Sequence, residues 1–130
     1  MKRRSFLKSV ATITTVSLVG CKSTSAHYRP LHLNNRLVIN KSHLANKSRF
    51  TVAFKDQIIA IIQHGADSYI ALGMNCTHLG CEISPVEDGY ICPCHGAKFD
   101  QVGVALKGPT NINLPRFKTD ADDTNIYVEF

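Results

Sequence analysis

The sequence predicts an all-β fold, a small sandwich or barrel-like stack of antiparallel sheets. Three observations predict it. Short runs rich in β-branched and aromatic residues recur along the chain, separated by turn chemistry. No long amphipathic helical period and no internal repeat interrupts them. Between Asn75 and Asn113 the apolar runs are brief and Gly, Pro and Cys are frequent. That pattern marks a loop-rich, function-bearing segment on a rigid scaffold. The 130 residues suit one domain. With 44% hydrophobic and 19% charged residues, wholesale disorder, collagen-like repeats and a coiled coil are excluded.

The first segment, 1–20, carries Lys2, Arg3, Arg4 and Lys8 and no acidic side chain. From residue 21 onward, eleven basic side chains face ten acidic ones. Four of the five units of net positive charge therefore belong to the leader, and no nucleic-acid-binding face is predicted. Ser9–Gly20 is a neutral run of 12 residues. As a helix it spans about 18 Å, short of a hydrocarbon core of roughly 30 Å. It reads as an export signal. Arg3-Arg4-Ser5-Phe6-Leu7-Lys8 resembles the twin-arginine signal, whose route exports folded proteins. Leu18-Val19-Gly20-Cys21 resembles a bacterial lipobox, in which Cys21 becomes the lipidated N-terminus. The expected location is the periplasmic face of a bacterial membrane.

Residues 21–35 are polar and aperiodic and read as a lipidated start and tether. The domain is expected over 36–130. Its strand-like runs are Arg36–Asn40, Arg49–Phe54, Gln57–Gln63, Ser68–Gly73, Leu114–Phe117 and Asn125–Phe130. Lys55-Asp56 and the His64–Asp67 stretch separate three of them as turns. His27, His32, His43 and His64 read as solvated, and Asp120, Asp122 and Asp123 as a solvated hairpin turn.

The chemistry concentrates in Cys76-Thr77-His78-Leu79-Gly80-Cys81 and, ten residues later, Cys92-Pro93-Cys94-His95-Gly96. Two thiolates and two imidazoles are enough to hold Zn²⁺ tetrahedrally. A zinc site and a disulfide-rich scaffold are both compatible with the donors, but Cys81 and Cys94 exceed what zinc needs. Export of a folded cargo also suggests a cofactor inserted before export.

These two motifs, Cys-x-His-x-Gly-Cys and Cys-Pro-Cys-His-Gly, closely resemble those of the Rieske iron–sulfur family. The resemblance spans roughly Arg36–Phe130. It implies a Rieske-like stack of small antiparallel sheets with a loop-rich cluster-binding subdomain. It implies a [2Fe–2S] cluster with Cys76 and Cys92 on one iron and His78 and His95 on the other. It implies a Cys81–Cys94 disulfide tying loops 76–81 and 92–96 together, a bond that an oxidising periplasm preserves. Thiolates favour the iron that stays ferric and imidazoles favour reduction of the other. Such clusters work between roughly −150 and +300 mV. Gly108-Pro109-Thr110 with Leu114-Pro115 resembles the family's proline loop, here 108–115, which covers the cluster. Leu79 and Pro109 are the expected partner interface.

The chain departs from the high-potential cytochrome bc pattern. Those relatives place Ser and Tyr hydroxyls where this sequence has Ala97 and Phe99. Such donors favour the reduced cluster, so Ala97 and Phe99 are expected to lower the potential. The resulting expectation is a one-electron transfer subunit rather than a stand-alone catalyst. Its expected partners are redox proteins such as cytochrome b or c subunits, with quinol as donor. The alternatives are the small subunit of a molybdenum oxidoreductase of the arsenite oxidase type, or a redox-sensing module.

Overall fold

The computed structural model describes residues 30–130. The leader, Cys21 and His27 lie outside them. The described residues form eleven strands: β1 (Leu31–Leu33), β2 (Arg36–Asn40), β3 (Arg49–Phe54), β4 (Gln57–Gln63), β5 (Tyr69–Gly73), β6 (Ser84–Val86), β7 (Gly89–Ile91), β8 (Lys98–Asp100), β9 (Ala105–Lys107), β10 (Arg116–Ala121) and β11 (Asn125–Glu129). A 3-10 turn, Lys41–Leu44, follows β2. A seven-stranded sheet runs β1-β2-β11-β10-β5-β4-β3, and a four-stranded sheet runs β6-β7-β8-β9. Every pairing is antiparallel. The all-β expectation holds. Among the described residues no helix is long and apolar enough to cross a membrane.

Two apolar cores share one wall. Ile59 and Ile61 of β4 with Tyr69 and Ala71 of β5 pack against Leu37, Ile39, Val52, Ile126 and Val128. The alternate residues, Ala60, Ile62, Ile70 and Leu72, pack on the opposite face against Tyr90, Phe99, Cys76 and Cys92. Successive strand residues point to opposite faces, so a strand between two cores must be apolar on both. That explains the unbroken run from Ile58 to Ile62. The large sheet folds over itself at β10, which pairs with β5 at Arg116 and Phe117 and with β11 from Lys118 onward.

Three local readings change. Strand β1 lies inside the segment read as tether. Asn34 and Asn35 adopt left-handed backbone angles, which makes a two-residue hairpin turn that pairs Leu33 with Arg36. The Asn75–Asn113 segment, read as loop-rich, contains the whole four-stranded sheet, in strands too short to show a period. The run expected at Leu114 begins as a strand only at Arg116. Pro115 cannot donate to a ladder, and Leu114 is buried in the core with its N–H bonded to the Gly103 carbonyl. Of the histidines read as solvated, His32 and His43 are exposed yet lie 5.2 Å and 6.1 Å from the rings of Phe54 and Phe50. The acidic turn is built in part as read: Asp122 and Asp123 stand in it, while Asp120 lies in β10 opposite Tyr127. The Asp122 carboxylate accepts the Tyr127 hydroxyl at 2.6 Å and the N–H groups of Asn125 and Thr124, which holds its pKa below the ordinary value.

Arg49 of β3 joins the two sheets. Its guanidinium donates to the carbonyls of Gly89 (3.3 Å) and Val86 (3.4 Å) and lies 5.1 Å from the centre of the Tyr90 ring. The Tyr90 hydroxyl is buried without a hydrogen-bond partner. Burial raises its pKa against the opposing pull of Arg49. An orphaned hydroxyl is a desolvation penalty, so Tyr90→Phe is expected to leave stability unchanged or raise it by about 1 kcal/mol. Urea unfolding tests this, and a comparable loss of stability would show that the hydroxyl has a partner.

Candidate metal centre

The two motifs form two loops at one end of the small sheet, and their backbones match bond for bond. In the first, Cys76 N–H donates to Cys81 O at 2.7 Å and Gly80 N–H to Cys76 O at 2.8 Å. In the second, Cys92 N–H donates to Ala97 O at 2.8 Å and Gly96 N–H to Cys92 O at 2.9 Å. Gly80 and Gly96 take φ of +78° and +77°. Only glycine reaches that conformation without strain, which fixes the Gly in each motif. In this alignment Cys76 matches Cys92, while His78 matches the position of Cys94 and Leu79 that of His95. The histidine spacing therefore differs by one residue between otherwise equivalent loops.

The loops bury the two thiols and leave the two imidazoles outside. Cys76 and Cys92 are 3% and 1% exposed, and their sulfurs lie close enough to act on each other. The Cys76 sulfur also accepts the backbone N–H groups of His78 and Leu79, and the Cys92 sulfur those of Cys94 and His95. Burial raises the pKa of Cys76. Burial also acts on Cys92, but the thiol of Cys76 and the two amides outweigh it and lower its pKa. These amides point at each sulfur before any charge arrives, and so favour negative charge there. His78 and His95 are exposed, with ring centres 4.9 Å apart and planes at 88°.

Cys81 and Cys94 are disulfide-bonded, with α-carbons 6.5 Å apart. The sulfurs of Cys81, Cys92 and Cys94 lie within 4.8 Å of one another. That trio is no ligand set, because the disulfide removes two of its thiolates. Leu79 is 68% exposed beside His78, and Pro109 is exposed after a cis Gly108–Pro109 bond. Ala97 and Phe99 are buried beside Cys92 in the same core.

Sequence reading missed Thr77. Its hydroxyl donates to the Ile112 carbonyl at 2.7 Å and lies 3.0 Å from the Thr110 hydroxyl, which accepts the Ile112 N–H. Thr77 thus clips the 108–113 segment onto the first loop, and a lone Thr inside a motif gives no sign of this. Thr77→Val is expected to cost about 1–2 kcal/mol. It should also speed amide exchange over residues 108–113 while sparing β4 and β5. Unchanged exchange there would refute the clip.

The family model for the Rieske [2Fe-2S] domain matches residues 34–118. The chain belongs to the Rieske family. It is 31% identical to the cytochrome b6-f complex iron-sulfur subunit of Chlorobaculum tepidum, over 98% of this chain and 75% of that one. It is 28% identical to the subunit of that name from Prochlorococcus marinus strain MIT 9211, over 98% and 84%. The crystal structure of the cyanobacterial plasma membrane Rieske protein PetC3 from Synechocystis PCC 6803 overlays with a TM-score of 0.60 at 29% identity, covering 70% of this chain and 95% of that one. This Rieske protein therefore carries a [2Fe–2S] cluster and works as an electron-transfer subunit. The donors fit that group. Paired buried thiols receive preorganised N–H bonds, and two imidazoles meet at an exposed edge.

Proposed function

We propose that Cys76 and Cys92 hold one iron of the cluster and His78 and His95 the other. We further propose that the protein passes single electrons from a quinol to a cytochrome at the periplasmic face of a bacterial membrane. The observation that carries this reading is the pairing of exposed His78 with exposed His95, two and three residues along their loops from the buried Cys76 and Cys92. Two histidines and two cysteines suit the two unequal irons of a Rieske centre. When bound there, the cluster supplies reversible one-electron oxidation and reduction.

The residues around it have separate tasks. The amides of His78, Leu79, Cys94 and His95 favour added negative charge at the sulfurs, and so favour reduction. The buried core of Tyr90, Phe99 and Met74 excludes water from the thiol side. The exposed imidazoles are the edge at which an electron enters or leaves. Leu79 and Pro109 flank that edge and form the apolar contact for quinol or its binding subunit. The twin-arginine-like leader would deliver the protein folded, and Cys21 would anchor it through lipid. The curated relatives' naming as cytochrome b6-f subunits supports this assignment over a molybdenum oxidoreductase.

The test is electron paramagnetic resonance of reduced protein with nitrogen hyperfine analysis. A rhombic signal coupled to two imidazole nitrogens is expected, with one nitrogen lost in His78→Cys or His95→Cys. One zinc and no iron per chain would overturn the assignment. Ala97→Ser is expected to raise the potential. A single added hydrogen bond of about 1 kcal/mol is worth roughly 40 mV for one electron. Redox titration reads this directly, and an unchanged or lowered midpoint would remove Ala97 as a tuning position.

A further inference from the structure

The second cluster loop runs straight into a cationic surface. Lys98 stands on β8, immediately after Ala97, whose carbonyl is bonded to Cys92 N–H. On one side Lys98 faces Ile91, and on the other it stands opposite Lys107 of β9. Both lysines are exposed. The ion pairs among the described residues are Arg36–Glu129, Lys41–Asp67 and Lys118–Glu129, so neither Lys98 nor Lys107 has an acidic partner. Like charges directly opposite each other weaken a strand pair. A lysine on outer strand β9 can be explained as protection of a sheet edge. That explanation does not reach Lys98, which is on an inner strand.

Beside the lysines lies a groove of about 310 Å³, lined by Ile91, Phe99, Val86 and Leu106. Leu106 is 65% exposed. A β-bulge between β8 and β9 lies next to it. Glu87 and Asp88, in the β6–β7 turn, close the far end. The strand register separates the Lys98 row from the Gly89 row by two residues, roughly 7 Å. The groove is therefore apolar in the middle, cationic at the end next to the cluster loop and anionic at the other.

We propose that this face docks an acidic redox protein. The partner presents carboxylates to Lys98 and Lys107, an apolar side chain to the groove, and a basic group to Glu87 and Asp88. This rests on the electron-transfer reading above and adds the partner's chemistry and orientation to it. The charge gradient fixes the partner's approach, because only one orientation brings its acidic end beside the second cluster loop. Charged surfaces of this kind act mainly on encounter rate and orientation.

The full-length holoprotein is reduced and mixed by stopped flow with an acidic and a basic c-type cytochrome of matched potential. The acidic cytochrome is expected to react faster, with a rate that falls as salt is added. The double variant Lys98→Glu/Lys107→Glu should slow that reaction about tenfold and speed the basic one. Its paramagnetic signal should be unchanged, and each rate is compared at equal driving force using the variant's own midpoint potential. Lys98→Ala/Lys107→Ala, which introduces no new charge, should lose the salt dependence in the same direction. Binding of the acidic cytochrome by surface plasmon resonance reads docking without electron transfer. Lysine-dependent binding by a protein lacking the Rieske signal would sink the cluster assignment and leave the docking face standing. Rates and binding unaffected by both variants would overturn the proposal. So would lysine-dependent self-association, or capture of anionic lipid vesicles in place of the acidic cytochrome.

Discussion

Gly89→Ala is expected to be the most damaging single substitution in the domain. Gly89 opens β7 at φ +151°, paired with Asp100 of β8. A Cβ there would collide with the carbonyl oxygen of Phe99 and lie 2.9 Å from the carbonyl carbon of Asp100. Both obstacles are backbone of the neighbouring strand and cannot swing aside. Relief would require separating β7 from β8, and Cys92 stands one residue beyond the end of β7. The expected loss is about 3 kcal/mol or more, from overpacking plus an unfavourable φ. The matched controls are Gly80→Ala and Gly96→Ala. Both have positive φ but nothing within 4 Å of a new Cβ, so each should cost about 1–2 kcal/mol of backbone strain. Urea unfolding and iron content of the three variants check the ranking. Equal stability of Gly89→Ala and Gly80→Ala would refute the collision.

The second large effect is expected from Cys81→Ser/Cys94→Ser. The bridge spans 13 positions in sequence. Closing a loop of that size stabilises a fold by about 3 kcal/mol, chiefly by restricting the unfolded chain. The loss should not fall evenly. The core between β2, β3, β4, β5 and β11 contains neither cysteine, whereas Cys81 packs on the core that holds Cys76 and Cys92. Faster cluster loss to a chelator is therefore expected at temperatures where far-ultraviolet circular dichroism still shows folded β-structure. The measurement follows visible absorbance and circular dichroism on one heating ramp. Superimposed transitions at the wild-type temperature would exclude the tie between loops as the source of stability.

The parts legible in sequence were those with a local signature. The β-branched and apolar content of Arg36–Asn40 and Gln57–Gln63 placed β2 and β4, because burial dictates those residue types. The Cys and His positions were legible because ligand chemistry permits few substitutes, and each loop glycine because its φ requires one. Strands β6 to β9 were not legible. They are three residues each, too short for a period, and owe their pairing to contacts with the large sheet such as the one through Arg49. Strand β1 hid because its leucines are exposed and its turn is made by two asparagines rather than by glycine. The clip made by Thr77 and the opposition of Lys98 to Lys107 join residues far apart in sequence. A loop-to-loop contact makes the first and strand register the second.

The matched backbones of the two loops bear on how fast an electron can move. Each sulfur of the Cys76–Cys92 pair faces two backbone amides of its own turn, and the two turns are bound to each other through Cys81–Cys94. Atoms so held have little room to shift when one unit of charge arrives. If these sulfurs hold the cluster as proposed, the nuclear rearrangement that accompanies each transfer would be small, and so would its contribution to the barrier. On the proposed assignment, the solvent at the exposed His78 and His95 would be the main medium left to reorganise. A partner that covers that edge removes this water too, so docking itself lowers the remaining barrier to transfer.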